Sequence, residues 1–72
     1  MRRLIFENVG RDKWNGSIYI PDTSTADQIA EFAYEESKKH LASRFPDVEY
    51  DTQLNKGIIE AGCRTVGIFH VE

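Results

Sequence analysis

A single stretch of this chain, from Thr25 to Phe45, carries apolar residues at helical spacing, and strand-like alternation lies on both sides of it. That pattern leaves few folds open. One helix must bury its apolar stripe against something, and with no second helix to receive it the receiving surface is a sheet. Advancing about 100° per residue from Ala26 places Ile29, Ala30, Ala33, Tyr34, Ser37, His40 and Leu41 within one arc, while Asp27, Glu31, Glu35, Lys38 and Lys39 fall opposite. The middle of that arc is small, so the helix is expected to sit low on its sheet. Thr25 with Gln28 three residues on forms a capping box, Ser24 is an alternative cap, and Pro46 disfavours a helical Phe45.

The flanks supply the strands. Residues 3–9 and 14–20 read as two strands joined by the polar turn Gly10 to Lys13, with Asn15-Gly16 as a competing turn signal. Pro21 ends the second strand. Val48 to Leu54 alternates, and Asn55-Lys56-Gly57 suits a hairpin loop in which Gly57 takes the left-handed position before Ile58 to Ala61 returns. The rival reading is a short helix over 53–61 closed by Gly62, which puts Gly57 inside a helix at about 1 kcal/mol relative to alanine. Arg64 to Val71 is the most strand-like segment. The expected fold is one α+β domain over residues 1–72, of ββαββ type, with one amphipathic helix on one face of a four- or five-stranded antiparallel sheet.

A domain of 72 residues buries roughly 60% of its unfolded surface and draws ~3–5 kcal/mol from its core. Further support has to come from elsewhere. Cys63 is the one cysteine, so an intrachain disulfide is excluded. Cys63, His40 and His70 lack the spacing of metal ligands, and no cofactor is expected. Association with a protein partner or a second copy is the support left. The run Leu4-Ile5-Phe6 after Met1-Arg2-Arg3 is too short for a signal peptide and no segment has membrane-spanning length, so the expected setting is the cytoplasm.

Charge narrows the partner. The net charge of −3 is uneven: residues 1–14 set Arg2, Arg3, Arg11 and Lys13 against Glu7 and Asp12, while residues 21–52 carry eight acids against Lys38, Lys39 and Arg44. An acidic middle opposes wholesale binding of a phosphate backbone and favours a basic partner surface. Two acidic rows stand out, Asp27, Glu31 and Glu35 along the helix and Asp47, Glu49 and Asp51 along one strand. Together they make an acidic surface only if the fold puts them on one side. Three strand carboxylates also suggest a hard cation, but the downstream Glu and the Gly of a calcium loop are missing, and charge on an edge strand ordinarily guards against pairing. Cys63 and His70 are the one nucleophile and base close in sequence; on a continuous strand their odd spacing puts them on opposite faces, which leaves a small buried thiol and a rim histidine. Nucleic acid ranks second as a partner, through the basic hairpin residues Arg2, Arg3, Arg11 and Lys13 with Trp14, although Trp14 also suits the role of a core cap.

One helix covers one sheet face, yet the first and last strands are apolar on both. Placing Leu4, Phe6, Ile18, Ile20, Val48, Tyr50, Val66 and Ile68 beneath the helix leaves Ile5, Tyr19, Phe69 and Val71 as a second apolar patch, to be covered by a second copy of the chain or by a protein partner; a register error swaps the sets. No motif of catalysis is present, so the expected function is that of a non-catalytic protein-binding module; in size, element order and acidic helix the chain resembles the small accessory and inhibitor proteins that phages and mobile elements encode. The likeness is one of architecture, and no residue role is carried over from it.

Overall fold

The computed structural model describes residues 1–41 and 46–72. Five antiparallel strands form one open sheet, and one helix packs on it. The strands are β1 (Arg2–Val9), β2 (Trp14–Ile20), β3 (Asp47–Asp51), β4 (Lys56–Ala61) and β5 (Arg64–Val71), with the helix α1 (Ala26–Lys38) between β2 and β3. Their spatial order is β2-β1-β5-β4-β3. The first and last strands, apolar on both faces in the sequence, are thus interior neighbours, joined from Leu4↔Val71 to Glu7↔Ile68.

The covered face is built around one row of side chains that crosses all five strands. The register runs Gly16↔Phe6, Phe6↔Phe69, Phe69↔Gly57 and Gly57↔Tyr50. Ring centroids lie 6.0 Å apart for Phe6 and Phe69 and 5.9 Å for Phe69 and Tyr50, and Trp14 lies 5.4 Å from Phe6. These are favourable aromatic separations. The two glycines in the row make it possible. A Cβ on Gly57 would lie 2.1 Å from the Phe69 ring, and one on Gly16 would lie 2.4 Å from the Trp14 indole. Phe69 lies across the neighbouring strand at Gly57, and Trp14 folds back over its own strand at Gly16, where no side chain obstructs either ring. Around this row Leu4, Val9, Ile20, Ile29, Ala33, Ile59 and Val71 complete the buried core.

The helix begins as the capping box predicts. Thr25 Oγ1 accepts from the Gln28 backbone N–H (3.2 Å) and Gln28 Oε1 accepts from the Thr25 backbone N–H (2.9 Å). Ile29, Ala33 and Ser37 are its buried residues, and the Ser37 hydroxyl is satisfied by donating to the Tyr34 carbonyl. Phe32, absent from the predicted arc, also packs against the core. The helix stops at Lys38, well before the expected Phe45. His40 is pinned where another turn would have to pass: its ring stacks on Trp14 at 3.7 Å, and its carbonyl oxygen is so close to Gly10 that a Cβ there would sit 2.3 Å away. Leu41 then reaches the core from outside the helix. The expected helical residues 42–45 lie outside the described residues.

Two turns also depart from expectation. Residues 53–61 form no helix; β3 and β4 make a hairpin, but its left-handed residue is Asn55 (φ 53°), while Gly57 lies in β4 beneath Phe69. Asn15-Gly16 is within β2 rather than at a tip. The Asn15 side chain instead braces the Gly10 to Lys13 turn, accepting from the Asn8 N–H and donating to the Lys13 carbonyl.

Ala33 is fully buried where the helix meets the sheet. Replacing it with leucine has to lift the helix or displace neighbouring rings, so Ala33→Leu is expected to cost ~1–3 kcal/mol by overpacking. Chemical denaturation measures this; an unchanged midpoint would show that Ala33 does not face the sheet.

Candidate functional site

The sheet face turned away from α1 is organised by the same register. On this face the side-chain row Ser17–Ile5–His70–Lys56–Asp51 crosses all five strands, and the next row is Glu7–Ile68–Ile58–Glu49. Ile68 is therefore directly opposite Ile58 and diagonal to Ile5, whose own partner on β5 is His70, so the three isoleucines form an oblique line across β1, β5 and β4. Ile68 is 41% exposed and Tyr19, at the β2 rim beside Arg3, is 67% exposed. Carboxylates frame the three isoleucines: Glu7 on one side, Glu49 and Asp51 on β3, and Glu60 paired with Asp47 beyond. Lys56, His70 and Arg3 are the basic groups among them, and Arg3 is ion-paired with Glu72. A shallow cleft of about 760 Å³ at the β3–β4 hairpin is lined in part by Glu49, Asp51, Lys56, Ile58 and Leu54, and Leu54 is exposed.

This corrects the expected patch. Ile5 and Tyr19 are on the open face as expected, but Phe69 and Val71 are buried beneath the helix, and Ile68, assigned to the helix side, is outward. The error is one of parity along β5. Val66 sits where the β4–β5 register shifts, so it packs against the core although it shares its parity with Ile68. A signal was present: Ile68 alternates with the ionisable His70, and Ile58 with Glu60, which marks both pairs as outward.

The two acidic rows do not merge. Asp47, Glu49 and Asp51 alternate with Val48 and Tyr50, which pack against the core, so the β3 carboxylates belong to the open face. Asp27, Glu31 and Glu35 are exposed and oppose Ile29, Ala33 and Ser37 on α1, so they line the outer side of the helix. The sheet lies between the sets.

The basic hairpin is divided as well. Arg2 and Arg3 begin β1, and Arg11 and Lys13 occupy the turn at its far end, some 25 Å away for a strand of this length. Trp14 is engaged by Phe6 and stacked on His40. Arg11 and Lys13 instead share a cleft of about 870 Å³ with Arg64 and His40, where Glu7 and Asp12 offset their charge.

Cys63 and His70 do not meet. Cys63 is exposed rather than buried, in a two-residue turn with Gly62 where both residues have positive φ (64° and 59°), and His70 lies seven residues along β5. Among the described residues no three His, Cys, Asp or Glu side chains are grouped to hold a metal ion, and no helix is long and apolar enough to cross a membrane. No protein-family model, curated protein or solved structure matches the chain.

The β3 carboxylates repeat every second residue, about 7 Å apart along an extended strand, whereas a calcium ion needs its oxygens at about 2.3–2.6 Å. Asp51 is also committed locally, its Oδ1 accepting from the backbone N–H groups of Gln53 and Leu54. Calorimetric titration with Ca²⁺ or Mg²⁺ is expected to give heats of dilution alone. A saturable isotherm at micromolar metal, lost in Asp51→Asn, would contradict this.

Proposed function

We propose that this chain is a non-catalytic protein-binding module whose open sheet face docks on a partner surface with an apolar centre and a basic rim. The observation that carries the reading is the oblique line of Ile5, Ile68 and Ile58 across three neighbouring strands, framed by Glu7, Glu49, Asp51 and Glu60. Ile68 is exposed and Ile5 and Ile58 are half-buried beside it, and apolar surface rimmed by polar groups is characteristic of interaction sites. Its charge selects the partner. Five acids on this face (Glu7, Asp47, Glu49, Asp51, Glu60) outnumber Lys56 and the already paired Arg3. In the cleft at the β3–β4 hairpin, Glu49 lies beside Ile58 while Asp51 is engaged by the Gln53 and Leu54 N–H groups and faces Lys56, so Glu49 is the carboxylate offered to a lysine or arginine side chain of that partner.

Two features favour this reading over its rivals. The thiol and imidazole that would have to cooperate in nucleophilic catalysis are separated along β5. The basic residues required for nucleic acid do not form one patch, and the indole that would stack a base already packs against Phe6 and His40.

A photo-activated cross-linking residue at Ile68, expressed in the native host, identifies the partner. With that partner purified, Ile68→Lys is expected to weaken binding at least ~10-fold, about 1.4 kcal/mol. Glu49→Lys is expected to weaken it by a few-fold, chiefly through the association rate. Glu31→Lys, on the outer side of the helix, is expected to leave it unchanged. Adducts from a cross-linker at position 31 and none from position 68, or equal losses for Glu31→Lys and Ile68→Lys, would contradict the proposal.

A further inference from the structure

The two edges of the sheet are built differently. β3, at one edge, presents Asp47, Glu49 and Asp51, the kind of charge that keeps a second strand from adding to it. β2, at the other, reads Trp-Asn-Gly-Ser-Ile-Tyr-Ile, with no charged residue and no proline along seven residues. Among the described residues, no turn, loop or cap segment hydrogen-bonds to the backbone of Gly16 to Ile20. Trp14 and Ile18 are half-buried there, although both pack against the core. This edge has the features of a template and lacks the usual guards.

We propose that β2 pairs antiparallel with β2 of a second copy of this chain, about a twofold axis through Ser17, to form one continuous ten-stranded sheet. The strand is complementary to itself in that register. Ser17 faces Ser17, Asn15 faces Tyr19, Gly16 faces Ile18 and Trp14 faces Ile20, so no like charges oppose each other within the paired strands. On the helix side, Ile18 of one copy meets the indole that lies over Gly16 of the other, covering both half-exposed apolar groups. Beyond the strands the same register sets Asp12 opposite Asp22 of the other copy, each with a cation of its own chain beside it: Arg11 and Lys13 flank Asp12, and the terminal ammonium is 3.2 Å from the Asp22 carboxylate. Because the twofold axis is normal to the sheet, both helices lie on one side and both isoleucine faces on the other. The association is independent of what, if anything, binds that face.

Light scattering on the whole chain in the high-micromolar range tests this. The wild type is expected to approach twice the 8.3 kDa of one chain. Ser17→Lys and Ser17→Glu each place like charges across the twofold axis at an exposed position, and each alone is expected to be monomeric with an unchanged circular-dichroism spectrum. Mixing the two in equal amounts is expected to restore the dimer. A wild type that stays monomeric, a dimer that survives Ser17→Lys, or a mixture of the two folded variants that fails to associate would each overturn the proposal.

Discussion

The covered face depends on aromatic rings that need room which only glycine backbone provides. Phe6, Phe69 and Tyr50 occupy one register row, and the row closes because Gly57 lets Phe69 lie across β4 and Gly16 lets Trp14 fold back toward Phe6. Glycine inside a strand forgoes packing and has an entropic cost, so it persists where another group fills the space above it. Here the fillers are the largest side chains in the core. Small side chains likewise suit the position of the helix, which approaches β3 and β4 most closely and buries Ile29, Ala33 and Ser37.

A chain this short has one helix to spend, and at 13 residues it is about 20 Å long. It covers one face. The other has to be acceptable in water, and the register solves this by alternating isoleucine with ionisable side chains along β1, β4 and β5. The result is an apolar centre with a charged frame, which is the surface that the proposed binding function uses. Edge chemistry follows from the same open sheet: β3 carries carboxylates and β2 carries none, so the two unpaired edges are not equivalent.

Much of this was legible in the residues. The Thr25–Gln28 capping box, the strands on either side of the Gly10 to Lys13 turn, β5 from Arg64 to Val71 and the α+β class follow from local pattern, because local hydrogen bonding and period-2 alternation dominate there. The misreadings share a physical origin in contacts between residues distant in sequence. The helix ends early because Trp14 and Gly10, far back in the chain, hold His40. Gly57 is a strand residue because Phe69 lies over it, a fact no local turn rule contains. The β5 faces were exchanged because strict alternation was carried through the register shift near Val66. Half of the candidate patch, Ile5 and Tyr19, was therefore visible in the sequence, whereas Ile58 and Ile68 needed the register to be found.

Core and open face alike depend on how the isoleucines divide between the two sides of the sheet. Methyl-labelled isoleucine spectra recorded with a soluble paramagnetic chelate test it most directly. Ile68 is expected to be attenuated most strongly, Ile5 and Ile58 to follow, and Ile20, Ile29 and Ile59, which are at most 2% exposed, to be protected. Attenuation of Ile59 as strong as that of Ile68 would contradict the assignment of faces on which the whole account rests.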